Sequence, residues 1–444
     1  MKRVLIISPH FPPVNAPDCQ RVRMSLPYYR DHGWDPVVLA VEPQHRADWR
    51  DDSLLASLPS DIPVHLCGAF PRGLTRFVGV NNLGLRCVVQ LNRAAHALLR
   101  REHFDLVFFS TTQYLVTPLG RLWRQRFGVP YVVDLQDPWR SNYYERPGAP
   151  RPPGGWKYQF ARFTAWLFEE NCFYDAAGLM SVSPHYFRDL RERYSHRQLP
   201  VHEVIPFGAP KADFDVLPRK AGDPLPVALP AGVFNWVAAG SLGPQFSHAV
   251  RVLCSGLRQL REREPELAQR VRLHFVGTSY ADPGQTGRAV MPIAEAYGVG
   301  DLITEQPQRV GYQDSLRLMC AADGLLLLGS DDRGYSPSKL YPYYLARRPM
   351  LALTHDGSLL ERLVSHLRCA NLVTLLQPGR ETQPAGEVAR ILGASARGEV
   401  AELLSPRADA WFDRSLSAAA LARRQCQLFD AAAGVSSPDA PTAT

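Results

Sequence analysis

Tyr335-Ser336-Pro337-Ser338-Lys339-Leu340-Tyr341-Pro342-Tyr343-Tyr344-Leu345-Ala346-Arg347-Arg348-Pro349 lies between two apolar runs, residues 324–329 and 350–353. A chain that leaves one strand, forms a helix and returns to the next strand is the repeating unit of a parallel sheet. Two hydroxyls, Ser336 and Ser338, and one ammonium, Lys339, stand where a helix N-terminus offers unpaired backbone N–H groups. That combination suits a diphosphate, because both the free donors and the helix dipole favour negative charge. Lysine usage sharpens the point. Only Lys2, Lys157, Lys211, Lys220 and Lys339 occur among 50 basic residues, so Lys339 stands against a strong bias toward arginine. A compact ammonium fits a phosphate contact; a surface lysine capping a loop is the plainer alternative.

Outward from this segment the same strand-helix rhythm recurs. Residues 4–8 read as a strand, 10–15 as a loop, 18–32 as a helix closed by Gly33, and Trp34–Val41 as the next strand, the opening of a doubly wound sheet. Further strands are expected at 105–110, 131–134, 178–182 and 203–206, with a helix over Pro118–Phe127. Residues 218–232 are too proline-dense for a regular helix and belong near a domain junction. A second series follows: strands Phe234–Ala239, Val271–Val276, a short one at Ile303, and Gly324–Leu328, with helices at 249–262, 289–297 and 313–321. The domains expected are 1–205 and 206–405, then a C-terminal helix in 406–430 that returns to the first domain, and a small, polar, disordered tail over 431–444. Residues 146–155 form a Pro- and Gly-rich insert between Trp139 and Trp156, suited to an acceptor-side lid or to a plain surface insertion.

At 444 residues the chain exceeds one ordinary core. A hydrophobic fraction of 45% with 21% charged residues is that of a soluble globular protein. Cys19, Cys67, Cys87, Cys172, Cys254, Cys320, Cys369 and Cys426 show no C-x-x-C spacing and read as reduced core residues. The first apolar run is far too short for a signal sequence, and no segment approaches 18 apolar residues, so neither secretion nor membrane spanning is expected. A net charge of +7 and a cluster of arginines (Arg72, Arg76, Arg86, Arg93, Arg100, Arg101) among apolar residues suit docking on an anionic surface, or an ordinary solvated helix.

The 335–349 segment closely resembles the donor-binding motif of family-four, GT-B-type glycosyltransferases, roughly Ser-Pro-Ser-Lys-Leu-aromatic-Glu-Tyr-Leu-Ala-Ala-Gly-Lys/Arg-Pro. Ser8-Pro9-His10-Phe11-Pro12-Pro13 resembles the first-strand loop of that family, and Asp134-Leu135-Gln136-Asp137-Pro138-Trp139 its Asp-x-x-Asp-Pro-Trp element. With Val182-Ser183 and Pro206-Phe207-Gly208, the matches run in order along nearly the whole chain. The resemblance implies an α/β protein of two Rossmann-like domains facing a cleft (GT-B), with acceptor on the first domain and nucleotide sugar on the second. It implies Asp137 and His10 as the catalytic candidates, although a lone loop histidine more often serves hydrogen bonding and Asp137 could simply cap the turn at Pro138. On the donor side it implies Gly240, Ser241, Gly277, Arg309, Val310, Ser336, Ser338, Lys339 and Leu340. Helix N-termini and Lys339 would neutralise the leaving diphosphate, so neither a metal nor a cofactor is expected.

The chain departs from the family at several points. A basic residue expected soon after Gly240 is missing, and only Ser241, Gln245 and His248 are on offer. Two family glutamates that serve sugar and ribose correspond to Gly334 and Pro342, which leaves Asp331, Asp332, Tyr341 or Tyr343 to compensate. Pro342 would also distort a helix that starts near Ser338, unless the helix starts late. The function implied is transfer of a sugar from a nucleotide-sugar donor to a glycan, lipid-linked or small-molecule acceptor, with retention, in bacterial polysaccharide or envelope glycan synthesis. The alternative is a non-catalytic GT-B-like scaffold that binds nucleotide or glycan, favoured by the missing glutamates. An epimerase on the same architecture lacks an identifiable constellation of carboxylates and histidines. The expected location is the cytoplasm, with peripheral contact at the inner face of the membrane and no nucleic-acid partner.

Overall fold

The computed structural model describes residues 1–45, 50–73, 82–140, 155–217, 224–279, 287–332, 335, 337–377, 380–404 and 406–434. The chain divides into two compact units, Met1–Gly208 with Ala418–Thr444, and Ala209–Ser417.

In the first unit, strands β1 (Lys2–Ile7), β2 (Trp34–Val41), β3 (Val64–Cys67), β4 (Leu106–Ser110), β5 (Tyr131–Leu135), β6 (Gly178–Ser181) and β7 (Val201–Val204) form one sheet in the order β3-β2-β1-β4-β5-β6-β7. All its pairings are parallel, with Leu5 opposite Val37 and Ser110 opposite Asp134. Helices cover both faces, so β4 and β5 are buried along their whole length and read as continuous apolar runs. The strand order reverses between β1 and β4, which gathers the loops at the carboxyl ends of these strands.

The second unit repeats the plan. Its strands are β8 (Phe234–Ala239), β9 (Val271–Val276), β10 (Ile303–Gln306), β11 (Gly324–Leu328), β12 (Met350–His355) and β13 (Asn371–Leu375), in the parallel order β10-β9-β8-β11-β12-β13. Here the reversal falls between β8 and β11.

Several expectations need correcting. The first helix spans only Cys19–Ser25 and passes into a 3-10 turn, Leu26–Tyr28, because Pro27 supplies no N–H to continue it. The second unit runs to Ser417, beyond the expected 405. The helix Asp409–Ser415 is tied to that unit by Phe412, stacked on Tyr344 at 4.6 Å, and by the Tyr344 hydroxyl donating to Asp409 at 2.7 Å. The following helix, Ala418–Ala432, packs on the first unit and overruns the expected start of the tail at 431. Its Phe429 ring sits 4.9 Å from Phe108, 5.5 Å from Trp34 and 5.8 Å from Tyr29. Residues 435–444, most of the 146–155 insert and the start of the 218–232 run lie outside the described residues.

Candidate functional site

At the reversal in the first unit, the loop after β1 is shaped by Ser8, whose hydroxyl donates to the His10 carbonyl at 2.7 Å. His10 is buried, and its Nδ1 lies 2.9 Å from Asp18 Oδ1. Asp18 Oδ2 accepts from the Thr111 hydroxyl at 3.2 Å and from the Thr112 backbone N–H and hydroxyl at 3.1 Å each. The loops after β1 and β4 are therefore pinned together through one carboxylate. Burial on its own would raise the Asp18 pKa, but the charge and hydrogen bond of His10 and the donors of Thr112 outweigh it and hold the pKa below the usual value.

The two aspartates of the Asp-x-x-Asp-Pro-Trp element have separate fates. Asp134 is fully buried beside Arg21, at 2.7 Å from Nε, and accepts from Gln136 at 2.8 Å and Ser110 at 3.2 Å. Arg21 also donates to the Ile205 carbonyl at 2.8 Å, so this pair is a structural tie across the unit. Asp137 is exposed at the mouth of a concavity of about 390 Å³, lined also by Thr112, Tyr114, Trp139, Phe160 and Thr164. Tyr114 and Trp139 stack at 5.3 Å and give it an aromatic wall, the kind of surface that packs against a sugar ring. Crowding by surrounding atoms and, secondarily, the Asp18 charge push the Asp137 pKa up to about 6, even though the side chain opens to water. A carboxyl poised there is ionised at neutral pH yet basic enough to accept a proton from a hydroxyl in a transition state.

At the reversal in the second unit, Gly240 and Ser241 follow β8, and the ammonium of Lys339 donates to the Ser241 carbonyl at 2.8 Å. It also lies 5.7 Å from the Phe246 ring centroid. Gly240 has φ +101°, which favours glycine, and a Cβ there would stand 2.8 Å from Lys339 Cε and so displace the end of that side chain. Gly277, after β9, approaches the Gly240 and Arg309 Cα atoms, bringing three of the expected loops into one corner. Val310 is half-buried beside them, and Ser338 is exposed on the loop before the helix. Lys339 is half-buried with no carboxylate partner among the described residues, and burial pushes its pKa down to about 7.

The remaining donor-side residues are placed less simply. Leu340 is fully buried, so its side chain belongs to the core and only its backbone is left for a ligand. The helix starts late, at Leu340, which puts Pro342 in its first turn, where a missing N–H costs nothing. Tyr343 cannot replace a family glutamate. Its hydroxyl accepts from the Ala239 N–H at 2.7 Å and is spent anchoring the end of β8. Tyr341 is fully buried as well. Asp331 remains exposed, 3.2 Å from His355 Nε2, whereas His248 faces the interior and contacts the Leu376 carbonyl at 2.7 Å. Ser336 and Gly334 lie outside the described residues.

Sequence reasoning missed Asp18, Thr112, Tyr114 and Glu305. Glu305 is buried and accepts from Thr278 Oγ1 and the Ala289 N–H at 2.8 Å each, and from the Val290 and Met291 N–H groups at 3.1 and 2.9 Å. It thereby caps the helix Met291–Ala296 and fixes the loop after Gly277. The one available signal was positional, since Thr111-Thr112 directly follow the expected strand 105–110.

Residues 20–208 match the model of the glycosyl transferase 4-like domain. A comparison with curated protein sequences finds no match. Among solved structures, the chain is similar to sucrose-phosphate synthase from Thermosynechococcus elongatus, with 16% identity, TM-score 0.57, and 97% of this chain and 98% of that one covered. It is also similar to WaaG, a glycosyltransferase involved in lipopolysaccharide biosynthesis (14%, 0.58, 96% and 99%), and to Anabaena HepE in complex with UDP (16%, 0.51, 97% and 96%). The fold these structures share is GT-B, two Rossmann-like α/β domains.

Proposed function

From a glycosyl transferase 4-like domain over residues 20–208 and a GT-B fold along the chain, we propose a metal-independent, retaining glycosyltransferase that uses a nucleotide-sugar donor. The observation that carries this reading is the Lys339 ammonium, held against the Gly240-Ser241 loop without a carboxylate partner among the described residues. A diphosphate supplies the missing negative charge, accepts from the ammonium and from backbone N–H groups at the start of the helix, and leaves as a stabilised anion. Gly277 and Arg309 border the same corner and fit the nucleoside end of the donor.

On the first unit, the concavity beside Asp137 receives the acceptor. An acceptor hydroxyl donates to Asp137, the Tyr114–Trp139 wall packs against the acceptor body, and Asp18 fixes His10 so that its ring orientation does not drift. Transfer breaks the bond between the anomeric carbon and the phosphate oxygen, forms the new glycosidic bond on the face the phosphate leaves, as retention requires, and passes the acceptor proton to Asp137. The setting proposed is bacterial polysaccharide or envelope glycan synthesis at the cytoplasmic side. The test is acceptor-dependent release of nucleoside diphosphate from a donor panel, assayed with chelator present. Asp137→Asn is expected to lower turnover by about 10²–10⁴-fold while donor affinity, measured by calorimetry, stays unchanged. Loss of both, or of neither, would remove Asp137 from this role.

A second reading, a donor-binding scaffold without turnover, draws on the fates of Tyr341 and Tyr343, whose hydroxyls do not replace the family glutamates. Donor binding with no product in the same assay would select it.

A further inference from the structure

The helix Trp156–Tyr174 has two working faces. Phe160, Ala161 and Thr164 line the concavity beside Asp137, while Ala165, Glu169 and Cys172 are buried. At spacings of three, four and seven residues, Trp156, Phe163, Trp166 and Leu167 fall on one outward stripe and are 54%, 55%, 62% and 47% exposed. Phe163 and Trp166 lie with ring centroids 6.1 Å apart and form an aromatic pair at the middle of the stripe. Exposed tryptophan and phenylalanine in such a cluster mark an interaction site, because water gains by their removal.

Charge decides what covers it. Residues 118–175 hold eight Arg and Lys against six Asp and Glu, and three of those six are neutralised within the unit: Asp134 by Arg21, Glu169 by Arg193 at 2.6 Å, and Asp175 by Arg121 and Arg197 at 3.1 and 2.7 Å. On the neighbouring helix Pro118–Phe127, Leu122 and Arg126 are exposed, Arg121 is paired with Asp175 at 3.1 Å and Arg124 donates to the Asp175 carbonyl at 2.5 Å, and Arg162 is exposed on the aromatic helix itself. Glu170, at the far end of the stripe, is already engaged by His196 at 2.9 Å and by Arg197 at 3.8 Å. A second copy of this chain would bring the same cations face to face. An anionic bilayer instead accepts tryptophan and phenylalanine at its interface and pairs its phosphates with the flanking arginines.

We infer that the helix Trp156–Tyr174 docks the protein on an anionic lipid surface through Trp156, Phe163, Trp166 and Leu167. Because the same helix lines the concavity beside Asp137, the acceptor drawn into it is of the lipid-linked class; this consequence rests on the transferase reading above, whereas the docking does not.

The test is flotation of the full chain with vesicles of phosphatidylcholine, with and without phosphatidylglycerol. The wild type is expected to float with the anionic vesicles, less so at high salt, and not with phosphatidylcholine alone. The Phe163→Ser/Trp166→Ser variant, whose changes are both on the surface, is expected to keep its melting temperature and lose at least about ten-fold in vesicle partitioning. It is also expected to lose transfer to a vesicle-embedded acceptor while donor affinity stays unchanged; undiminished transfer would overturn the lipid-linked assignment. Absence of wild-type flotation, or equal flotation of the variant, would overturn the docking and leave the donor chemistry intact. A wild-type dimer that the variant turns into a monomer would assign the face to a second copy and equally overturn it.

Discussion

Lys339 and Asp137 sit at opposite edges of one narrow pH window. Burial holds the Lys339 pKa near 7, and crowding with the Asp18 charge holds that of Asp137 near 6. Donor capture needs the ammonium and proton transfer needs the carboxylate, so kcat/KM for the donor is expected to be bell-shaped with limbs near these values. Lys339→Arg should move the alkaline limb upward, and a flat profile from mildly acidic to alkaline pH would contradict the assignment. Linkage has a definite sign here. Between about 7 and the ordinary lysine value of 10.5 the unfolded chain holds a proton the folded chain lacks, so Lys339 makes stability rise with pH across that window. Gly240 gives an independent check. Gly240→Ala combines φ +101° with a Cβ at 2.8 Å from Lys339 Cε, whereas Gly277, also at a positive φ of +73°, would carry a Cβ that meets nothing closer than 3.9 Å. Backbone strain of about 1–3 kcal/mol falls on both variants, and Gly240→Ala should weaken nucleoside diphosphate binding more than Gly277→Ala because it alone displaces the Lys339 side chain. Equal calorimetric affinities in the two variants would dissociate Gly240 from the ligand.

Among the elements, the helix Ala418–Ala432 closes the first unit by wedging Phe429 between Tyr29, Trp34 and Phe108 and by hydrogen bonding Gln425 to Tyr29 and Ser25. Phe429→Ala is expected to cost about 3–5 kcal/mol in urea unfolding; a change below 1 kcal/mol, on the order of a surface substitution, would mean that the helix is not part of that core. The sequence was legible wherever an element is buried on both faces. Trp34–Val41, Phe234–Ala239, Val271–Val276 and Gly324–Leu328 stand at their expected bounds because each is apolar over most of its length, even where Asp35, Asn235, Arg272 or His274 interrupts it. It was illegible at the sheet edges. Val64–Cys67 is exposed over its first three residues and Asn371–Leu375 is only partly buried, so neither carries an apolar run. The helix Trp156–Tyr174 escaped for the opposite reason, since apolar side chains on nearly every face hide its period. Within the site, glycines and Lys339 could be found because their chemistry is local. Asp18 could not, because an aspartate before a helix reads as a cap, and here its side chain makes no capping bond but reaches Thr111 and Thr112 some 90 residues on.

At the scale of the whole molecule, two parallel sheets each reverse their strand order once, and each reversal gathers loops that no sequence window contains together. In the first unit these loops hold His10, Asp18 and Thr112, with Asp137 beside them; in the second they hold Gly240, Ser241 and Lys339, with Gly277 alongside. The second corner is where the diphosphate of a nucleotide sugar is proposed to bind. Isothermal titration of a nucleotide-sugar panel against wild type and Lys339→Met tests this most directly. At least one donor is expected to bind the wild type with proton uptake near pH 8, as the diphosphate restores the lysine charge, and Lys339→Met is expected to weaken that donor by about 1.5–3 kcal/mol while melting no lower than wild type. Unchanged affinity in Lys339→Met, or no binding by any member of the panel, would contradict this placement.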